Sequence, residues 1–92
     1  MLTVKYTKLA LQDLNNAYEY ICSENPLSAS EIIEKIEITI SHLQTQPYIG
    51  HAGRVKNTYE FFVFGTPFII VYMVNEDYLI IVSVLHTSKK YP

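Results

Sequence analysis

The sequence predicts an α+β fold with the element order β-α-α-β-β-β, in which a helical hairpin packs on one face of a mostly antiparallel sheet. Three observations carry this reading. Apolar residues in the first half recur at helical spacing, with one interruption at Asn25-Pro26. From Tyr59 onward that period gives way to runs of β-branched and aromatic residues. The breaks between those runs, Gly65-Thr66-Pro67 and Asn75-Glu76-Asp77, are short enough to demand antiparallel connections.

Leu2 to Tyr6 reads as a short strand, with Val4 and Tyr6 alternating with Thr3 and Lys5. Thr7 can cap a helix that runs to about Ser23. Its expected buried stripe is Leu11, Leu14, Tyr18 and Ile21, flanked by Ala10 and Ala17. Asn25 and Pro26 are suited to the N-cap and first position of a second helix, ending near Thr45. Ile32, Ile36, Ile40 and Leu43 form its stripe, widened by Ala29 and Ile33. A break this short predicts an antiparallel helix pair. Pro47 to Thr58 reads as a loop, with Gly50 and Gly53 at turns. Tyr59 to Phe64, Phe68 to Val74 and Tyr78 to Leu85 are the last three strands, the connections between them making a meander.

These strands lack the alternation of a half-solvated sheet. Phe68 to Val74 is apolar without a break, and so is Leu79 to Val82. Two helices cover one face only. The other face is therefore expected to meet a protein partner, with a second copy of the chain as one alternative and folding-over of the chain's own short segments as another.

A chain of 92 residues fits one domain, and 49% hydrophobic against 17% charged residues argues against disorder. The net charge of −2 weighs against a protein that grips nucleic acid mainly through phosphates. Charge is unevenly spread. Between Thr7 and Gln46, Lys8 and Lys35 face six carboxylates, a balance of −4. From Pro47 on, Arg54, Lys56, Lys89 and Lys90 face three, a balance of +1. Arg54 is the only arginine. Cys22 stands alone, so no intrachain disulfide forms, and it reads as a small apolar filler. Met1 leads directly into the first strand without a signal-peptide pattern. The longest apolar stretch, Thr66 to Val74, is too short for a membrane span. A cytoplasmic location is the expectation.

Several motifs, in order, resemble those of the RelE/ParE superfamily of bacterial toxins, on the ParE side. Ala10, Asp13-Leu14 and Tyr20 are similar to its "A..DL..I..Y" pattern. Asn25-Pro26, Ala29, Ile36 and Leu43 follow "NP..A......I......L". Pro47 to Val55 resembles "P..GR.GRV", Thr58 to Phe61 stands at "TREL", and Pro67 to Val74 at "PYIIVYRV". Val84-Leu85-His86 with Lys89-Lys90-Tyr91-Pro92 resembles "VLH..R.YP". The likeness spans nearly the whole chain. His51, Tyr59 and Lys89 or Lys90 stand where the pattern has arginines, which weakens any anion-gripping role and leaves a non-toxic protein-binding relative as a further alternative to either toxin branch.

The resemblance implies a type II toxin neutralised by a co-encoded antitoxin. The RelE branch cuts messenger RNA on the ribosome, which takes an acid, a base and cations to stabilise the developing charge. Here the middle strand has no cation; Arg54, His86 and Lys89 are the candidates for such chemistry. ParE-like toxins resemble non-enzymatic poisons of DNA gyrase, and the acidic total and bare strand suit that branch better. On that reading no catalytic residue is assigned, and Arg54, Lys56, His86, Lys89, Lys90 and Tyr91 form the expected target-binding set. The surface that holds the antitoxin is left open, with the apolar sheet face as the candidate. A strand-end structural histidine is the plainer reading of His86. His42 suits a helix C-terminus, and Glu60 reads as solvent-facing on an outer strand. His51 and His86 lack a carboxylate or cysteine at ligand spacing, so neither metal nor cofactor is expected.

Overall fold

Thr7 ends one element and begins the next. The computed structural model describes residues 1–87. Its elements are β1 (Thr3–Tyr6), α1 (Lys8–Glu24), α2 (Pro26–Thr45), β2 (His51–Ala52), β3 (Tyr59–Phe62), β4 (Phe68–Val74) and β5 (Tyr78–His86). The Thr7 hydroxyl accepts from the Ala10 amide at 3.0 Å and donates to the Val82 carbonyl at 2.7 Å. One side chain thus caps α1 and ties its start to β5. Asn25 is the whole connection between the helices. Its N–H donates to the Ile21 carbonyl at the end of α1, and its C=O accepts from Ala29 in the first turn of α2.

The strands form one five-stranded sheet in the order β1-β5-β4-β3-β2. Three of the four pairings are antiparallel, and β1 runs parallel to β5. The expected fold class therefore stands, with two refinements. The region read as loop contains the short strand β2, which forms because the chain doubles back tightly enough for His51 to pair with Glu60. β3 stops at Phe62, two residues early, because the turn into β4 is already closing: the Thr66 amide donates to the Val63 carbonyl.

The buried stripe of α1 is not the expected one. Leu11 and Tyr18 are exposed, whereas Ala10 and Ala17 are buried and Leu14 and Ile21 pack against the core. Small residues on the inner line let the helix axis approach β5 and β1 closely, and that turns the larger side chains outward. The stripe of α2 is as expected, with Ile36, Ile40 and Leu43 buried. These meet Phe68, Ile70 and Tyr72 of β4 and Leu79, Ile81 and Val84 of β5 in one core.

Past Tyr6, β5 has no neighbouring strand on its β1 side, and the Asp13 carboxylate takes that place. Its Oδ2 accepts from the Val84 amide at 3.1 Å and from the buried Ser83 hydroxyl. This clasp lies next to a β-bulge, where Val71 pairs with Ser83 but Tyr72 pairs with Ile81, leaving Val82 as the extra residue.

Strand alternation places Ile69, Val71 and Met73 on the face opposite the helices, beside Phe62 of β3 and Ile80 and Leu85 of β5. Val71 is buried, Ile69, Ile80 and Leu85 are half-buried, and Phe62 and Met73 are exposed. The second apolar face expected from the sequence exists and is half-open. Among the described residues no helix is long and apolar enough to cross a membrane.

Candidate functional site

The chain's only arginine sits in a loop held by a buried tyrosine. The Tyr72 hydroxyl donates to the Pro47 carbonyl at 2.7 Å and accepts from the Gly50 amide at 3.2 Å. A Cβ on Gly50 would strike that hydroxyl and crowd the Glu60 carbonyl, so glycine is required at this close approach. The Tyr72 ring stacks on Tyr59 at 5.5 Å between centroids, and Tyr48 meets Tyr59 edge-on at 5.8 Å.

Beyond Gly50 the chain makes a hairpin. The Gly53 amide donates to the Thr58 carbonyl at 2.7 Å, and the Thr58 hydroxyl donates to the Val55 carbonyl at 2.6 Å. Asn57 takes the left-handed conformation the turn requires, with φ of 68°. The hairpin sets Arg54 directly against Glu60. The Arg54 amide donates to Glu60 Oε2 at 2.9 Å, and Nη2 reaches Oε1 at 3.1 Å. Glu60 is therefore not the solvent-facing residue expected: its side chain is only 13% exposed, against 49% for Arg54. The strand that carries it is flanked by β2 and is not at the edge here.

Burial pushes the Glu60 carboxyl up. The hydrogen bonds and charge of Arg54, with His51 across the ladder, outweigh that and hold it below its ordinary 4.5. A depressed folded-state value contributes stability that is present above the unfolded value and lost as pH falls through the folded one. Glu60→Gln is thus expected to flatten the loss of stability below pH 4.5, by about 1 kcal/mol at most for so exposed a partner. Urea midpoints measured across pH 3–6, as a rough range around that value, provide the check. Equal slopes for both proteins would refute it.

His86 lies elsewhere. It pairs with Phe68 at the far end of β5, and its ring meets Phe68 edge-on at 5.4 Å. With Asp13, Asn16, Tyr20, Phe68 and Val84 it lines a groove of about 480 Å³ beside α1. Phe68 belongs to the core face, whereas Glu60 pairs with Val71 on the other. Arg54 and His86 are therefore held to opposite faces of the sheet. Lys56 is exposed in the same hairpin as Arg54. Lys89, Lys90 and Tyr91 lie outside the described residues. Among the described residues no three His, Cys, Asp or Glu side chains converge to hold a metal ion.

Sequence reasoning treats Asp13 only as a charge and a motif position, and misses Tyr72 as the organiser of the loop. It also misses the Arg54–Glu60 pair. The signal for that pair is present: opposite charges six residues apart across a stretch rich in turn formers.

Comparison with known proteins matches this framework. A family model described as the ParE toxin of the type II toxin–antitoxin system parDE matches residues 4–91. The Y4kP protein of Sinorhizobium fredii, which carries a toxin designation, is 29% identical over 89 residues, covering 97% of this chain and 92% of its own. Among solved structures, the chromosomal ParDE toxin–antitoxin system of P. aeruginosa superposes with a TM-score of 0.83 at 20% identity, over 94% of this chain and 96% of that one. A point mutant of YafQ from E. coli superposes at 0.66 with 12% identity, over 96% of each chain. YafQ in its complex with DinJ gives the same TM-score and identity over 95% of this chain and 93% of that one. At these identities the superpositions speak for the fold alone.

Proposed function

The chain belongs to the ParE toxin family of type II toxin–antitoxin systems, and from that premise we propose that it poisons DNA gyrase without catalysing a reaction of its own. It is the toxin of such a pair, and an antitoxin is its partner. On this reading residues 1–92 act as one toxin domain in the cytoplasm, where gyrase works.

The observation that carries the proposal is the separation of Arg54 from His86. A ribonuclease would bring a cation and an acid or base to one phosphate, within hydrogen-bond reach of the reacting atoms. Here the two strongest described candidates face opposite sides of the sheet, and Arg54 is already engaged by Glu60. Phe68 to Val74 supplies no cation between them. What the loop does offer is an exposed surface of Tyr48, Arg54 and Lys56, suited to contact with a folded protein. The remaining members of the proposed target-binding set are His86, Lys89, Lys90 and Tyr91.

Relaxed plasmid incubated with purified gyrase, ATP and this protein tests the reading. The expected result is loss of supercoiling with linear DNA released on denaturing the trapped complex. Normal supercoiling with no trapped cleavage would reject it. Messenger cleavage in a translating extract would transfer the chain to the ribonuclease reading instead.

A further inference from the structure

Arg54 sits on a loop, yet its direction is set by a strand. Glu60 lies in β3 between β2 and β4, paired with His51 on one side and Val71 on the other, and its side chain is mostly covered. From there one carboxylate holds Arg54 twice. Its Oε2 accepts from the Arg54 amide at 2.9 Å, which fixes the main chain. The Nε–Nη2 edge of the guanidinium lies against both oxygens, with Nε at 3.3 and 3.4 Å and Nη2 at 3.1 Å. A planar fork gripped along one edge has both its plane and its direction set. Groups anchored on a strand hold a geometry better than groups carried on a loop, and Glu60 passes that constraint to Arg54.

An ion pair with one partner this exposed adds little to folding. Its larger effect falls on binding. A mobile side chain loses rotamer freedom when it docks, whereas one already held in the docking conformation does not.

We propose that Glu60 is a positioning residue for target recognition: it holds the chain's only arginine in the conformation that meets gyrase. The proposal rests on the gyrase reading above. Charge alone predicts the opposite sign. Glu60 neutralises Arg54, so its removal would strengthen attraction to an acidic surface. Loss of orientation weakens the contact instead.

Arg54 supplies the chain's single arginine Nε–H, so its motion is read from one resonance of the labelled protein. The order parameter of that group is expected near the rigid-backbone value of about 0.85 in the wild-type chain, and below about 0.6 in Glu60→Asp and Glu60→Gln. Glu60→Asp keeps the charge and draws the carboxylate back by one methylene. Glu60→Gln keeps the length and removes the charge. With folding verified by urea midpoints, each is expected to raise the concentration needed to trap gyrase cleavage by about 2- to 10-fold. In an Arg54→Ala background, Glu60→Gln is expected to cost nothing further, because Glu60 acts through Arg54.

A mobile Arg54 Nε–H in the wild-type chain overturns the proposal alone. So does wild-type potency in both Glu60 variants, greater potency in Glu60→Gln, or an equal loss with Arg54 already absent. A wild-type chain that traps no cleavage overturns the gyrase reading, and the role given to the pair falls with it, whatever the order parameter shows.

Discussion

Tyr72→Ala is expected to lower the stability of the chain by about 3–5 kcal/mol, the usual range for emptying a large buried aromatic position. Tyr72 is fully buried and among the largest side chains in the core. Its loss leaves a cavity under Tyr59 and frees both Pro47 and Gly50 from the hydroxyl. A domain of this size has roughly 5–14 kcal/mol to lose, so the variant is expected to sit near the edge of folding. Tyr72→Phe isolates the hydroxyl. It keeps the ring and removes two hydrogen bonds to half-exposed groups, for an expected cost of about 1–2 kcal/mol. Denaturant midpoints at constant m-value measure both. A loss under about 1 kcal/mol for the alanine variant would show that the loop does not depend on this residue.

The second large effect is expected at Asp13. Removing its carboxylate by Asp13→Ala strands the Val84 amide and the hydroxyl of Ser83, which is 1% exposed. Leaving two such groups without an acceptor costs about 2–4 kcal/mol, since each pays its own desolvation. Asp13→Asn is the discriminating control. Both bonds fall on one oxygen, Oδ2, and an amide oxygen can accept both. Its expected cost is about 1 kcal/mol, for the lost charge assistance. Equal destabilisation by alanine and asparagine would mean that the carboxylate acts by its charge and not as the substitute for a missing strand.

Asp13 also shows how a motif can be legible while its purpose is not. Its spacing from Ala10 and Leu14 marks the helix, yet the group it serves lies 70 residues away on β5. The stripe of α1 departs from expectation for a related reason. Helical periodicity identifies an amphipathic element, but Leu11 and Tyr18 outweigh Ala10 and Ala17 in apolar bulk. Which line faces inward is decided by how closely the helix can approach the sheet, and alanine wins there. Glu60 reads as an outer-strand residue because β2 is only two residues long and carries no strand signal of its own.

The site is less legible than the fold. Arg54, Lys56 and His86 can be named from their types and positions, but their grouping cannot. Strands that are apolar on both faces give alternation no direction, so the face that each residue occupies cannot be read along the chain.

From the residues alone come the types and order of the main elements, the caps at Thr7 and Asn25, the second apolar face and the likeness to ParE toxins, because each is written in local spacing and chemistry. The tertiary structure alone decided that β1 lies parallel to β5, that Arg54 is locked to Glu60 and that His86 faces away from both. All three follow from strand register, which contacts distant in sequence settle and local pattern cannot encode.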